Sequence, residues 1–179
     1  MGRSLGTLET DRLVLRPRRA EEAAIYRQLW LERDQRVPAG RRVDPEGRPT
    51  VADIVLQIRA TQQDPGPGIL AVERKGTGDV IGYCGLIPHG RGSPDEPELA
   101  FELLRATQGC GYATEAARAV VAWAREAGYR RLRAGVWDWN TPSRRVLAKL
   151  GFLESGRGEP APGQGVTLLM VRELDEFAS

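Results

Sequence analysis

The stretch Glu98-Leu99-Ala100-Phe101-Glu102-Leu103-Leu104-Arg105-Ala106-Thr107-Gln108-Gly109-Cys110-Gly111-Tyr112-Ala113-Thr114-Glu115-Ala116 decides how this chain is read. It opens by alternation: Leu99, Phe101 and Leu103 point one way, Glu98, Ala100 and Glu102 the other, which is the pattern of a strand with both carboxylates on one face. Gln108 to Tyr112 then forms a tight turn. Beyond it Ala113, Ala116, Ala117, Val120, Val121 and Ala124 recur at helical spacing, and a stripe made mostly of alanine lets a helix lie close to a sheet. Consecutive backbone N–H groups in such a turn, running on into the first turn of a helix, make a concave anion site reinforced by the helix dipole. Glycines at 109 and 111 permit the backbone conformations and close approach this needs. A glycine pair also serves as a plain strand-to-helix turn, so the turn by itself leaves both readings open.

On the N-terminal side the spacing predicts a strand over Arg12 to Arg16, ended by Pro17, and a helix from Glu21 to Leu31. Residues 34–49 are rich in Pro and Arg and read as loop. Val51 to Gln62 carries a helical stripe of Ile54, Val55 and Ile58 before the breaker Asp64-Pro65-Gly66-Pro67-Gly68. Ile69 to Arg74 and Val80 to Leu86 read as a hairpin turning at Gly76-Thr77-Gly78-Asp79. On the C-terminal side Gly128 stops the alanine-striped helix, and Leu132, Ala134 and Val136 alternate as a strand. Thr141-Pro142 reads as an N-cap with proline at the first helical position, opening a helix from Ser143 to Leu150, with Gly151 at C′ and Phe152 as its hydrophobic partner. A loop from Gly156 to Gly165 and a strand from Val166 to Arg172 complete an α+β (α/β) pattern of about six or seven strands and four helices. No repeat or linker divides it.

Composition narrows the function classes. The chain has 179 residues, enough to bury roughly 70% of its unfolded surface without disulfides or a structural metal. Twenty-six basic against 24 acidic residues leave a net charge of +2, which argues against a broad nucleic-acid surface while permitting a local basic patch. Cys84, Cys110 and the single His89 are too few for a Cys/His zinc cluster or a disulfide framework, and His89 sits in the turn Ile87 to Pro94 as a solvated loop residue. No apolar run is long enough to cross a membrane and Met1 to Gly6 lacks a signal-peptide core, so a reduced, cytoplasmic setting is expected.

The glycine turn does not fit the common nucleotide motifs. A dinucleotide fingerprint needs Gly or Ala where Thr114 stands, and a phosphate loop needs a Gly-Lys pair that the chain lacks. Leu104 to Ala116 resembles instead the acetyl-coenzyme A pyrophosphate loop of the GCN5-related N-acetyltransferase (GNAT) superfamily, and more closely its ribosomal-protein N-acetyltransferase-like (RimJ/RimL-type) branch. Leu8 to Pro17, Ile81-Gly82-Tyr83-Cys84-Gly85 and Asn140 to Phe152 are similar to further segments of that branch, in the same order. The loop departs from the superfamily pattern at Ala106, where Gln or Arg is usual, although the backbone donors do not depend on that side chain.

The resemblance implies one domain over residues 8–175, built on a central twisted sheet that is mixed and mostly antiparallel. It implies acetyl-CoA as co-substrate, no metal, and direct transfer of acetyl to a primary amine, either a protein N-terminus or a small molecule, by a monomer or homodimer without nucleic-acid or membrane partners. Backbone N–H groups of Leu103 and Leu104 would hold the acetyl carbonyl, and Gln108, Gly109, Cys110, Gly111, Tyr112, Ala113 and Thr114 the pyrophosphate. Asn140 would bond the pantetheine arm and Ser143 orient or protonate the thiolate, although both also suit an ordinary capping turn. Glu98 and Glu102 are the candidate general bases, each alternatively a solvated strand-face charge. Arg145, with Arg144 and Lys149, could meet the 3′-phosphate. Glu115 is better explained by a cap-type role, Trp137 and Trp139 could line the acyl end, and Cys110 is a nucleophile that direct transfer does not require. The competing function is a non-catalytic, regulatory coenzyme A-binding module.

Overall fold

The computed structural model describes residues 3–63, 66–88, 93 and 95–174. His89, Asp64, Pro65 and Asp175 lie outside the described residues. Eight strands form one sheet in the order β1-β2-β3-β4-β5-β6-β8-β7, where β1 is Leu8–Glu9, β2 Leu13–Pro17, β3 Gly68–Arg74, β4 Val80–Ile87, β5 Glu98–Leu103, β6 Arg131–Trp137, β7 Leu153–Arg157 and β8 Thr167–Glu173. Among the described residues only β5 and β6 are parallel neighbours. Among the described residues four α-helices accompany the sheet: α1 Ala23–Glu32, α2 Val51–Thr61, α3 Tyr112–Glu126 and α4 Thr141–Lys149.

Alternation along the strands divides the core. On β3, Leu70 and Val72 join the larger cluster, with Ala116, Ala117, Val120 and Ala124 of α3 and Leu147 of α4, while Ala71 joins Tyr26 and Leu29 of α1 and Ile54 and Ile58 of α2. Residues one apart on a strand face opposite ways, so α1 and α2 cover one face and α3 and α4 the other. Gly82 allows β4 and β5 to close up: a Cβ there would stand 2.1 Å from the Glu102 carbonyl oxygen and 2.8 Å from the Leu103 Cα.

Three local expectations need correction. The sheet has eight strands, not six or seven. Leu8–Glu9 is too short to show a period, and Leu153–Arg157, partly read as loop, is an exposed edge strand paired only with β8, so it needs no apolar alternation. The N-cap of α4 is Asn140, one residue earlier than Thr141, because the Asn140 side chain accepts from the Ser143 N–H at 3.2 Å. The other end of α4 is as expected: the Gly151 N–H donates to Ala148 O and the Phe152 N–H to Leu147 O, both at 3.0 Å, which is a Schellman closure. The 34–49 segment is irregular apart from a single 3-10 turn at Ala39–Arg41.

Candidate active site

β5 and β6 run side by side yet pair at one register only, Glu98 with Arg133, where the Arg133 N–H donates to Pro97 O at 3.0 Å. Past that point they separate. The Leu104 N–H donates to Ile81 O at 2.8 Å, so even-numbered residues of β5 turn their backbone groups toward β4, and Phe101 and Leu103 turn theirs toward β6. From the other side the Asp138 N–H donates to Val166 O at 2.9 Å, which by the same parity leaves Gly135 and Trp137 facing β5. The result is a gap within the sheet, narrow at Glu98 and open at Leu103, with peptide groups on both walls. Leu104 was expected to offer its N–H here; that donor is committed to β4, and Phe101 supplies the gap-facing group the sequence reading missed.

The glycine turn stands at the open end of this gap. Gly109 and Gly111 take φ of +78° and +84°, and Gly111 is the N-cap of α3 with no side chain to cap it. The first intrahelical bond runs from the Glu115 N–H to Gly111 O at 3.0 Å, so the N–H groups of Tyr112, Ala113 and Thr114 have no acceptor within the helix. Gln108 folds back, its side-chain amide donating to Leu103 O at 2.9 Å. Cys110 is exposed, with Sγ 3.7 Å from Gln108 O.

A second unanticipated residue holds the turn. Arg12 donates to Cys110 O at 3.0 Å and to Glu115 Oε2 at 2.6 Å, and its guanidinium carbon lies 4.5 Å from the Tyr112 ring centroid. Glu115 also accepts from Thr10 Oγ1 at 2.6 Å and from the Arg12 N–H at 3.0 Å. Partial burial would raise the Glu115 pKa, but these donors outweigh it and hold the carboxyl below its ordinary value. Glu115 is therefore a tether between the β1–β2 turn and α3 rather than a cap. Arg12 and Glu115 lie 103 positions apart, and no local pattern announces such a pair.

On α4, the Ser143 Oγ makes no hydrogen bond among the described residues, while Asn140 spends its side-chain oxygen on the cap. Val146 and Leu147 pack into the core shared with α3. Arg145 occupies the flank with Thr141, Arg144 and Ala148, lining a groove of about 350 Å³ with Glu154, Leu168 and Met170. The structure thus sets Arg145 toward β7 and β8, and no contact among the described residues joins it to the glycine turn.

The two carboxylates of β5 share a face, as the alternation required, but differ in surroundings. Glu102 receives Arg33 through both oxygens, Nε to Oε1 at 2.9 Å and Nη2 to Oε2 at 2.6 Å, and accepts from the Tyr83 hydroxyl at 3.1 Å. Arg33 also donates to Arg41 O at 2.6 Å and lies 4.3 Å from the Trp30 ring centroid. Burial works against its charge, yet the bonds to Glu102 prevail and its pKa is raised. Burial, and then the charge of Glu102, keep the Tyr83 phenol protonated. Glu98 sits at the narrow end, its Oε1 3.5 Å from where a Cβ on Gly135 would stand. Trp137 and Trp139 stack at the end of β6, centroids 6.2 Å apart and planes within 7°.

Among the described residues no group of three His, Cys, Asp or Glu side chains is placed to hold a metal ion, and no helix is long and apolar enough to cross a membrane. Over 154 residues, 84% of each chain, the protein is 29% identical to the uncharacterized N-acetyltransferase p20 of Bacillus licheniformis. Its fold matches a Bordetella pertussis protein described as a GnaT-family acetyltransferase, with TM-score 0.72 and 27% identity over 93% of this chain and 98% of that one. It also matches Mycobacterium smegmatis RimJ, solved in complex with CoA-disulfide, with TM-score 0.73 and 23% identity over 93% and 84% of the two chains. The family model for the acetyltransferase (GNAT) domain spans residues 12–153, from the arginine that braces the glycine turn to the first residue of β7, and the chain belongs to that family of acetyltransferases.

Proposed function

We propose that this protein transfers acetyl from acetyl-CoA directly to the nitrogen of a primary amine, a protein N-terminus or a small molecule. One observation carries the reading: a gap between two parallel strands, walled by peptide groups that no strand ladder takes up, opens onto an uncapped helix N-terminus. That arrangement fits coenzyme A end to end. The free N–H groups of Tyr112 to Thr114, with Gly109 and Gly111 allowing close approach, suit a pyrophosphate, and Arg12 adds positive charge beside it. The facing peptide groups of Phe101 and Gly135, with the N–H groups of Leu103 and Trp137, whose carbonyls are taken by the Gln108 side chain and the Asn140 N–H, suit the amides of a pantetheine arm. Likeness to RimJ and to N-acetyltransferase p20 supports the same reading, and favours the ribosomal-protein N-acetyltransferase-like branch.

Bound acetyl-CoA supplies an activated thioester. The chain's residues then have three tasks. Backbone N–H groups of β5 face the carbonyl oxygen as negative charge develops on it. Glu98, at the narrow end where the arm terminates, accepts the proton released as the amine nitrogen bonds to the acetyl carbon. Ser143, with an uncommitted hydroxyl, orients or protonates the departing sulfur as the carbon–sulfur bond breaks. Glu102, with both oxygens on Arg33, is a positioning residue that fixes α1 against β5.

The test is a thiol-release assay with acetyl-CoA against N-terminal peptides, polyamines, aminoglycosides and amino acids. Thiol release with at least one amine is expected, falling about 100-fold or more in Glu98→Gln, in line with the loss of a general base. Binding of acetyl-CoA with no acceptor acetylated and no effect of Glu98→Gln would replace this reading with that of a coenzyme A-binding module.

A further inference from the structure

Residues 33–36 bridge the open end of the gap. At one end Arg33 is anchored to Glu102 near the end of β5; at the other the guanidinium of Arg36 lies over Trp139, just past the end of β6, with its carbon 4.0 Å from the ring centroid. The two attachments differ in kind. Arg33 is mostly buried, with 13% of its side chain exposed, and is held by Glu102, Arg41 O and the Trp30 ring. Arg36 is 49% exposed, and its one carboxylate partner is Asp34, on the same segment, through Nε to Oδ1 at 2.8 Å and Nη2 to Oδ2 at 2.9 Å.

The surroundings of that guanidinium form a small receptor. Trp139 is fixed in place: its indole N–H donates to Gln164 O at 2.7 Å, its ring stacks on Trp137, and its backbone N–H donates to Asp138 Oδ1 at 2.9 Å. The Asp34 carboxylate binds the guanidinium edge in two places, and the charge of Asp138 adds to the attraction. An aromatic face with a carboxylate beside it is a recognition site for a planar or compact cation, and the cation now seated there is a solvent-exposed side chain of the protein itself.

We propose that Trp139 and Asp34 form a subsite for a second cationic group of the acceptor, a guanidinium or ammonium, and that Arg36 occupies it until such an acceptor displaces it. The inference rests on the acetyltransferase reading above and names the acceptor class within it. Gly135, beside which the Glu98 carboxylate stands, and Trp139 are four positions apart along the chain, so the second cation would lie on the order of 10 Å from the reacting amine. That suits a polyamine, or a peptide with Arg or Lys next to its N-terminus, and disfavours an acceptor whose only charge is the amine. Arg36 then acts as a selectivity filter: neutral groups gain nothing by expelling it.

Calorimetric titration with argininamide, and with norvalinamide as the control lacking the guanidinium, tests this without requiring turnover. Arg36→Ala is expected to bind argininamide at least fivefold more tightly than the wild type, and norvalinamide no better than before. Adding Trp139→Leu or Asp34→Asn to Arg36→Ala should abolish the gain, with acetyl-CoA binding by each variant confirming that the fold survives. Since the Asp34 side chain is only partly buried, at 39% exposure, its variant retains a folded test if Trp139→Leu does not fold. Equal affinity of wild type and Arg36→Ala for argininamide would overturn the proposal, as would equal gains for both probes. Either result leaves acetyl-CoA binding untouched, so failure here is separate from failure of the acetyltransferase reading.

Discussion

Glu98 and Glu102 stand two positions apart on one face of one strand, yet their neighbours give them different work. A carboxylate that holds a mostly buried guanidinium through both oxygens, and takes a phenol hydrogen bond besides, has its lone pairs committed. Removing its charge strands Arg33 in a place where water reaches little of it. Glu102→Gln should therefore lower unfolding free energy by about 2 kcal/mol, read from denaturant midpoints. Acetyl transfer by the folded fraction of this variant should fall far less than the loss of about 100-fold or more expected of Glu98→Gln. A loss of about 100-fold or more in Glu102→Gln with unchanged stability would reverse the two roles. Sequence could place both carboxylates on one face by period alone; it could not separate them, because Arg33 lies 69 positions away in a stretch with no readable pattern.

At the scale of elements, the glycine turn depends on a tether as much as on its glycines. Glu115 ties α3 to Thr10 and Arg12, and those bonds hold its pKa below the unfolded value. A depressed carboxyl contributes stability that is fully present above the unfolded pKa, near 4.3, and is lost as pH falls through the lower folded value. Glu115→Gln should thus be less stable than wild type at pH 7 by about 1 to 2 kcal/mol, in proportion to the charged hydrogen bonds removed. The difference should shrink toward pH 3, as followed by thermal melts across that range. A constant difference would mean that shape rather than charge carries the tether. The elements the sequence made legible were those with a period or punctuation: the alanine stripe of α3, the alternation of β5, and Gly151 closing α4. Missed or shifted were a two-residue strand, an edge strand with no buried face, and an N-cap displaced by one residue because Asn140, Thr141 and Ser143 can all cap.

At the scale of the whole molecule, function follows from a single irregularity in an otherwise continuous sheet. Among the described residues six of the seven neighbouring strand pairs are antiparallel, and the one parallel pair, β5 with β6, is held at a single register. α3 and α4 cover one face there, and the strap from Arg33 to Arg36 spans the other. The gap lies between segments that are adjacent only in space, so its glycine border was legible in sequence and its width was not. Acetyl transfer requires this gap, and the turn at its mouth, to accept coenzyme A. Calorimetric titration of the purified protein with acetyl-CoA tests that most directly. One molecule should bind per chain with a dissociation constant in the micromolar range, about −8 kcal/mol, and replacing Arg12 with alanine should weaken it several-fold by loosening the turn. Absence of any binding heat over a folded sample at millimolar acetyl-CoA, with no shift in melting temperature, would contradict it.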